Sequence, residues 1–453
     1  MANIHKFMVD KDYFVLDVNS GSVYEIDNLI YDLLDEDKVK PVNDLLEEYK
    51  DKYTKEEITE GCLEIDELIK EEALYTKDNN YEEIAKGFES GPNYIKALCL
   101  NVAHDCNLKC KYCFADEGEY RGKRELMSFE VGKKAIDYVI ERSGPRKNIE
   151  IDLFGGEPLL VFDTIKKIVD YGKEVGEKNN KNIRFTMTTN CTLLNDEIMD
   201  YLNKNMVNIV LSIDGRKEVN DKVRVRADGT GTFDAILPKI KKMVEKRDKD
   251  KAYYARGTFT RENLDFSKDA LFLADEGFKE ISIEPVVLPN EHPLSLREED
   301  LPIIFEEYDN LYKEMVKRRA EGHEFNFYHF NIDLNGGPCV YKRISGCGAG
   351  HEYVAVTPNG DIYPCHQFVG NEDFKMGSIY TDELREDIAL RFKKAHIYNK
   401  PECKNCWARF YCSGGCQANN YNFNKDFTKP YSLGCKMQKK RIECAIAYKS
   451  KNK

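Results

Sequence analysis

Residues 103–116 read AHDCNLKCKYCFAD, and the C-x3-C-x2-C spacing of Cys106, Cys110 and Cys113 within them governs the reading of the whole chain. Three thiolates so spaced can hold three irons of a cubane cluster and leave the fourth iron without a protein ligand. Scaffolds that only carry electrons usually cap all four irons, so the open corner marks a place where a small molecule chelates. An apolar run at 96–102 precedes the cysteines and reads as a strand, which sets them in the loop at its C-terminal end.

From residue 95 the text alternates between two periods. Candidate strands at 96–102, 149–154, 183–189, 208–213, 253–260 and 281–287 are separated by helical stretches near 128–142, 162–178, 195–205, 232–247 and 263–276, with another at 300–321. Six βα units in one run predict an α/β fold, a parallel sheet curled into a partial (β/α)6 barrel over 95–300, followed by a bridging helical region at 301–338. Sites on such barrels sit at the C-terminal strand ends. The second strand ends FGGEP (154–158), where Gly155 and Gly156 let backbone approach a ligand and Glu157 can accept hydrogen bonds from an ammonium. The third ends Thr188-Thr189-Asn190 and the fourth Ser212-Ile213-Asp214-Gly215. Beyond it, the run NDKVRVR holds Arg224, whose fork suits a carboxylate, with Arg226 the competing choice. The sixth strand, ISIEPVV, ends through Pro285 and Val286.

The chain has 453 residues, enough for two to four domains. It has no apolar run approaching 18 residues and no secretory leader, so a soluble cytoplasmic protein without membrane association is expected. Fifteen cysteines in such a chain read as metal ligands, not as disulfides. The net charge of −12 is uneven: residues 1–78 hold 9 lysines against 22 carboxylates, while the remainder holds 59 basic and 58 acidic residues. An acidic module repels phosphate backbones, which argues against nucleic acid and favours a basic partner. Residues 5–26 alternate apolar and polar around Asn19-Ser20-Gly21, as a small antiparallel meander would, and helices follow at about 27–36, 41–52 and 55–73. Residues 79–94 have the polar, Gly/Pro-containing composition of a linker.

Residues 339–453 carry a second cysteine array. Cys347 is followed by Gly360 and Cys365 (G-x4-C), then Cys403-x2-Cys406-x5-Cys412-x3-Cys416, and finally Cys435. Zinc could explain four of these thiols, but not all seven.

Taken together, CNLKCKYCF (106–114), with Phe114 just after the third cysteine, and FGGEP resemble the signature of the radical S-adenosylmethionine (SAM) enzymes. The resemblance implies that the amine and carboxylate of SAM bind the open iron, and that an electron from the cluster cleaves SAM to a 5′-deoxyadenosyl radical. It further implies Gly155, Gly156 and Glu157 at the SAM amine, Asn190 and Ser212 at its ribose and carboxylate, Arg224 at the carboxylate and Val286 near the adenine. Cys191 stands where that family commonly has glycine. The seven-cysteine order resembles the SPASM extension in every interval, and implies two auxiliary four-iron clusters, three [4Fe-4S] clusters in all. By the family's interleaved ligation Cys403, Cys406, Cys412 and Cys435 hold the outer cluster, and Cys347, Cys365 and Cys416 the inner one. That leaves the inner cluster one ligand short; Cys339, placed roughly as the completing cysteine of sulfatase-maturing relatives, or a substrate thiolate can close it.

The stretch GCGAGHEYVAVTPNGDIYPCHQF (346–368) and the acidic N-terminal segment, with the motifs above, are most similar to maturases of six-cysteines-in-forty-five-residues (SCIFF) peptides. This resemblance implies an enzyme that installs thioether bonds in a ribosomally made, Cys-rich precursor peptide, fed by an electron donor such as ferredoxin or flavodoxin. Residues 1–78 resemble the winged-helix peptide-binding domain at the start of many such enzymes, which implies that they bind a basic leader. Sulfatase-type formylglycine maturases are the main alternative; they place an aspartate after the cysteine matching Cys365, where this chain has His366. A non-catalytic peptide-binding electron-transfer scaffold is the alternative outside enzymes, and it has no use for FGGEP.

Overall fold

Alternation near the N-terminus produces the meander it predicts: in the computed structural model, β1 (Ile4–Val9), β2 (Asp12–Asp17) and β3 (Val23–Ile26) form an antiparallel sheet in that order, with Phe7 opposite Phe14 and Val15 opposite Tyr24. The structure describes residues 3–77, 80–334, 343–381 and 384–451, so Cys339 lies outside the described residues. The chain divides into two units. One comprises Met1–Ser90, Leu301–Gly346 and Ala395–Lys453; the other comprises Gly91–Asp300 and Cys347–Lys394.

In the first unit the sheet is followed by α1 (Asn28–Leu33), α2 (Val42–Glu48) and α3 (Lys55–Lys70). A reciprocal cap opens α3: the Glu57 N–H donates to Thr54 Oγ1 (3.2 Å) and the Thr54 N–H to Glu57 Oε2 (2.7 Å). Ile4, Val15, Leu33, Leu45, Ile58 and Ile65 share the core of this module. Residues 79–94 read as a linker, but over most of that span the chain forms a fourth helix, α4 (Tyr81–Ser90). Ala85 and Phe88, three residues apart on one face, are buried with Ile344, Ile397 and Phe410, and Glu82 pairs with Lys404 at 2.8 Å. The partners lie more than 250 residues away, so the local composition carries no trace of them.

β1 is tied to the last helix of the chain, Ser432–Ser450. His5 reaches Glu36 through Nδ1 and Glu443 through Nε2, both at 2.9 Å, and its ring stacks on Trp407 with centroids 3.8 Å apart. Burial opposes protonation of His5, but the two carboxylates outweigh it and hold its pKa above the usual histidine value, while His5 in turn lowers that of Glu36. The protonated pairing therefore contributes fully below the pKa of the unfolded histidine and is lost as pH rises through the raised native value. His5→Gln is expected to lower unfolding free energy by about 1–2 kcal/mol below about pH 6, with the deficit shrinking at higher pH. Denaturant titrations of both chains across pH check this; a deficit that grows with pH would contradict it.

The second unit contains β4 (Ala97–His104), the two-residue β5 (Glu125–Leu126), β6 (Asn148–Gly155), β7 (Asn182–Thr189), β8 (Met206–Ser212), β9 (Ala252–Phe259) and β10 (Glu280–Pro285). The order 10-9-8-7-6-4 is parallel throughout, and β5 pairs antiparallel with the end of β4. Helices α5 (Phe129–Arg142), α6 (Phe162–Lys178), α7 (Asp196–Asn205), α8 (Lys217–Val223), α9 (Phe233–Glu245) and α10 (Phe266–Asp275) alternate with the strands. Ile151, Leu153, Phe185, Met187, Ile209 and Leu211 are buried on one side of the sheet. Alternate positions carry polar groups instead, with Thr186 bonded to Asp152 at 2.8 Å and Arg256 3.7 Å from Glu284. Three strands absent from the sequence reading extend the sheet past β4: Tyr353–Val356 adds parallel, with Ala355 beside Cys99, and Asp361–Tyr363 and Gly377–Ser378 follow antiparallel. They are two to four residues long and lie in a glycine-rich stretch, too short for a clear period. No helix among the described residues is long and apolar enough to cross a membrane.

Candidate active site

The loop after β4 is pinned from outside by backbone bonds, Lys109 N–H to the Val225 carbonyl (2.8 Å) and Lys111 N–H to that of Val223 (2.9 Å). Between the second and third cysteines, Tyr112 donates its hydroxyl to Asp214 Oδ2 (2.7 Å) and accepts from Arg224 Nη1 (2.9 Å). Asp214 and Arg224, 3.9 Å apart, are both buried. The strand end SIDG thus braces the cysteine loop through Asp214, a role that the sequence reading missed although it quoted the residue. Cys106, Cys110 and Cys113 are half-buried. Burial pushes Cys106 up to about 12, with Glu157 and the other two cysteines adding to it, and pushes Cys110 up to about 11 against the pull of Arg224. Metal loading must displace these protons.

Gly155 and Gly156 make a close backbone approach to the cysteine loop. A Cβ at Gly155, where φ is +136°, would stand 2.3 Å from the Ala103 carbonyl oxygen, and one at Gly156 would stand 2.1 Å from that of Asp105. The glycines let the turn press onto the start of the cysteine loop, and the Gly156 and Glu157 N–H groups bond the Ala103 and Asp105 carbonyls at 2.8 and 2.9 Å. Glu157, expected to meet an ammonium, is fully buried and turned inward. Its Oε1 accepts from Thr189 Oγ1 (2.7 Å) and the Leu159 N–H (3.1 Å), and its Oε2 accepts from the Asn190 N–H (2.7 Å). A buried carboxylate needs donors on both oxygens, and the end of β7 supplies them.

Asn190 lies against the cysteine loop, with Nδ2 2.8 Å from Asn107 Oδ1 and 3.8 Å from Cys106 Sγ. Cys191 is fully buried at φ +68°, the left-handed region that explains a glycine preference at this position. Ser212 is half-buried at the end of β8, beside Arg256 of β9. Arg224 and Arg226 separate cleanly: Arg226 is spent on its own turn, bonding Thr230 Oγ1 (3.3 Å) and the Gly231 carbonyl. Arg224, 7 % exposed, keeps a buried Nε with no hydrogen-bond partner among the described residues, a donor still available to a ligand. Val286 is buried after β10, its N–H bonded to the Phe259 carbonyl at 2.9 Å. Phe114 is 43 % exposed and lies 6.5 Å from Phe154 and 5.6 Å from His366, between centroids. His366 meets the Tyr353 hydroxyl at 3.0 Å, and burial lowers its pKa to about 4, leaving it neutral. The second unit therefore brings Cys365 and His366 to the same end of the sheet as Phe114.

The first unit assembles four of the seven downstream cysteines. Cys403 ends a short helix, Pro401–Lys404; Cys412 ends Arg409–Cys412; Cys435 lies in the first turn of Ser432–Ser450; and the Cys406 N–H bonds the Cys403 carbonyl at 3.1 Å. These four line one cavity of about 80 Å³ together with Arg409, Gly414 and Lys439. Among the described residues no three Cys, His or carboxylate groups converge on a single-ion site. Thiols spread around a cavity suit a cubane, whose irons each take one thiolate at a separate corner. Burial pushes Cys403 up to about 11 and Cys435 up to about 12, so these too load by losing protons. Cys416 is exposed in the same unit, Cys347 is exposed in the other, and Cys365 is buried there.

The profile of the radical SAM superfamily matches residues 100–258, and that of the SPASM iron–sulfur cluster-binding domain matches 347–407. An uncharacterized protein, MJ0907, of Methanocaldococcus jannaschii is 31% identical over 277 residues, 61% of this chain and 86% of that protein. A cysteine-type anaerobic sulfatase-maturating enzyme of Clostridium novyi is 26% identical over 72% of this chain and 88% of its own. The radical SAM cyclopropyl synthase TigE of Paramaledivibacter caminithermalis is 26% identical over 87% and 84%. Among solved structures, native anSMEcpe with bound AdoMet and Cp18Cys peptide aligns with a TM-score of 0.62 at 22% identity over 79% of this chain and 98% of that one. Streptococcus suis SuiB bound to precursor peptide SuiA aligns at 0.51 and 17% over 94% and 97%. The chain belongs to the radical SAM superfamily and carries a SPASM domain, on the α/β radical SAM fold.

Proposed function

We propose that this protein is a radical SAM peptide maturase that joins a cysteine sulfur to a carbon of an acceptor residue in a ribosomally made, Cys-rich precursor. The observation that carries the reading is the coexistence of a three-cysteine loop, braced by Tyr112 between Asp214 and Arg224, and a four-cysteine cavity. Cys106, Cys110 and Cys113 would hold the SAM-binding cluster, and Cys403, Cys406, Cys412 and Cys435 one auxiliary cluster; we assign Cys347, Cys365 and Cys416 to the other from their order. When bound, these groups supply one-electron cleavage of SAM and an acceptor for the electron released on closing a C–S bond. The chain's own residues do the rest. Arg224 Nε would bond the SAM carboxylate and Asn190 and Ser212 its ribose edge, while Gly155 and Gly156 let the FGGEP turn press onto the cysteine loop and Glu157 locks that turn to the end of β7. Phe114 and Phe154 flank the cluster loop and limit water there.

The N-terminal module is read as the leader site. Its three-stranded sheet has open edges, and α3 exposes Glu56, Glu60, Glu64 and Glu67, so a Lys-rich extended leader would find both backbone and charge partners. The experiment is anaerobic incubation of the intact chain with SAM, reductant and a Cys-rich peptide bearing such a leader. The expected results are 5′-deoxyadenosine release, a peptide lighter by two hydrogens per bridge, and leader binding that fades as salt rises. Similarity to a sulfatase-maturating enzyme favours formylglycine formation as the second reading. It is distinguished in the same experiment, because formylglycine formation removes sulfur from the peptide and thioether formation retains it.

A further inference from the structure

Lys400 is fully buried, and among the described residues its Nζ makes one hydrogen bond, 2.9 Å to the carbonyl of Gly414. Gly414 lines the four-cysteine cavity, and its φ of +82° bares the backbone there; a Cβ on it would stand 3.1 Å from the Lys400 Nζ. The ammonium thus sits directly behind the cavity wall. Among the described residues no carboxylate stands within ion-pair distance of it; burial lowers its pKa, and the groups that pull the other way are the thiols of Cys403, Cys412, Cys416 and Cys435, which become anionic on metal loading. Arg409, also buried at the cavity, is held by the Asn19 Oδ1 (2.6 Å) and the Cys406 carbonyl (3.2 Å), whereas Lys439 on the far rim is exposed to solvent. An ammonium withdrawn from water without a counter-ion is costly, and thiolates holding a cluster in the adjoining cavity would supply the missing negative charge.

From this geometry we infer that Lys400 is a positioning residue of the electron-transfer machinery, a buried cation that stabilises the reduced form of the cluster held by Cys403, Cys406, Cys412 and Cys435. This rests on the assignment of those four cysteines to one iron–sulfur cluster. A cluster ligated by four thiolates is negative, and reduction adds one more charge inside a low-dielectric wall, where a fixed cation acts most strongly. The same cation lies beside Cys416, so it offsets charge on the ligand stretch as a whole. Lys439, screened by water, contributes little.

The test uses full-length chain carrying Cys106→Ala, Cys110→Ala and Cys113→Ala, so that only auxiliary clusters load, followed by mediated redox titration with EPR detection and iron analysis. Lys400→Met removes the charge; Lys400→Gln removes it but keeps an N–H donor. Both are expected to retain iron and to lower the reduced-to-oxidised ratio of one auxiliary signal at least tenfold at the potential where the parent is half reduced, a 59 mV shift for a one-electron couple. Lys439→Met is expected to change it less than twofold. An unshifted Lys400→Gln with full iron would show that the hydrogen bond and not the charge matters, and would overturn the inference. Iron loss in both Lys400 variants, with any residual signal at the parent potential, would also overturn it, because Lys400 would then be a structural support. A parent without auxiliary iron would fail one step earlier, at the cluster assignment, and would remove the inference with it.

Discussion

Replacing Cys106, Cys110 and Cys113 together by alanine is expected to remove about four irons from the anaerobically reconstituted chain and to cut 5′-deoxyadenosine release from SAM by at least about a thousandfold. The barrel should survive the change. The thiols are half-buried and add little to packing, whereas the loop is held by the Lys109 and Lys111 backbone bonds and by Tyr112 between Asp214 and Arg224. Circular dichroism close to that of the unaltered chain, together with the remaining auxiliary iron, would separate lost chemistry from lost fold. SAM cleavage that continued in the triple variant would remove these cysteines from the reaction and the enzyme assignment with them.

Cys403→Ala with Cys406→Ala should have the opposite signature. Both residues line the cavity of the first unit, while the cysteine loop and Arg224 belong to the second. Emptying the cavity is expected to lower thioether product at least about a hundredfold and to leave peptide-independent SAM cleavage within about threefold of its starting rate. It also removes Cys403, one of the four thiols that act on Lys400, together with the cluster charge that Lys400 would offset, so the first unit should lose stability, in line with a buried ion left less well compensated. Product mass, deoxyadenosine yield and a melting curve read the three effects separately. Crosslinked peptide formed at the unaltered rate would show that this cluster is dispensable to bond formation.

Much of the barrel was legible because its information is local. Helix α6 spans 162–178 as its apolar spacing predicts, and β7, β8 and β9 fall within a residue or two of their expected bounds. Cysteine spacing likewise marked the loop and the cavity, since ligand sets within one short stretch leave a countable pattern. What escaped was whatever depends on residues distant in sequence. Nothing near Glu157 announces that Thr189 and Asn190 will absorb both its oxygens, and nothing near His5 announces Trp407. The run NDKVRVR likewise gives no sign that Arg226 will be used by its own 226–231 turn. α4 was hidden for the same reason, its buried face being defined by partners from the other end of the chain.

The discontinuity of the first unit has a consequence for biosynthesis. His5 waits for Glu443, 438 residues later, and at about 5–20 residues per second a ribosome takes about 20–90 s to supply it. Gly91–Asp300 emerges as one continuous stretch and can begin to fold during that interval, whereas the cavity of Cys403, Cys406 and Cys412 is closed only by Cys435, on the final helix. Loading of a cluster there would therefore require a chain made through Cys435. A copy cut before Cys435 would keep the cysteine loop of the second unit but lose one wall of the cavity, so the metal it retained would report whether that helix was present.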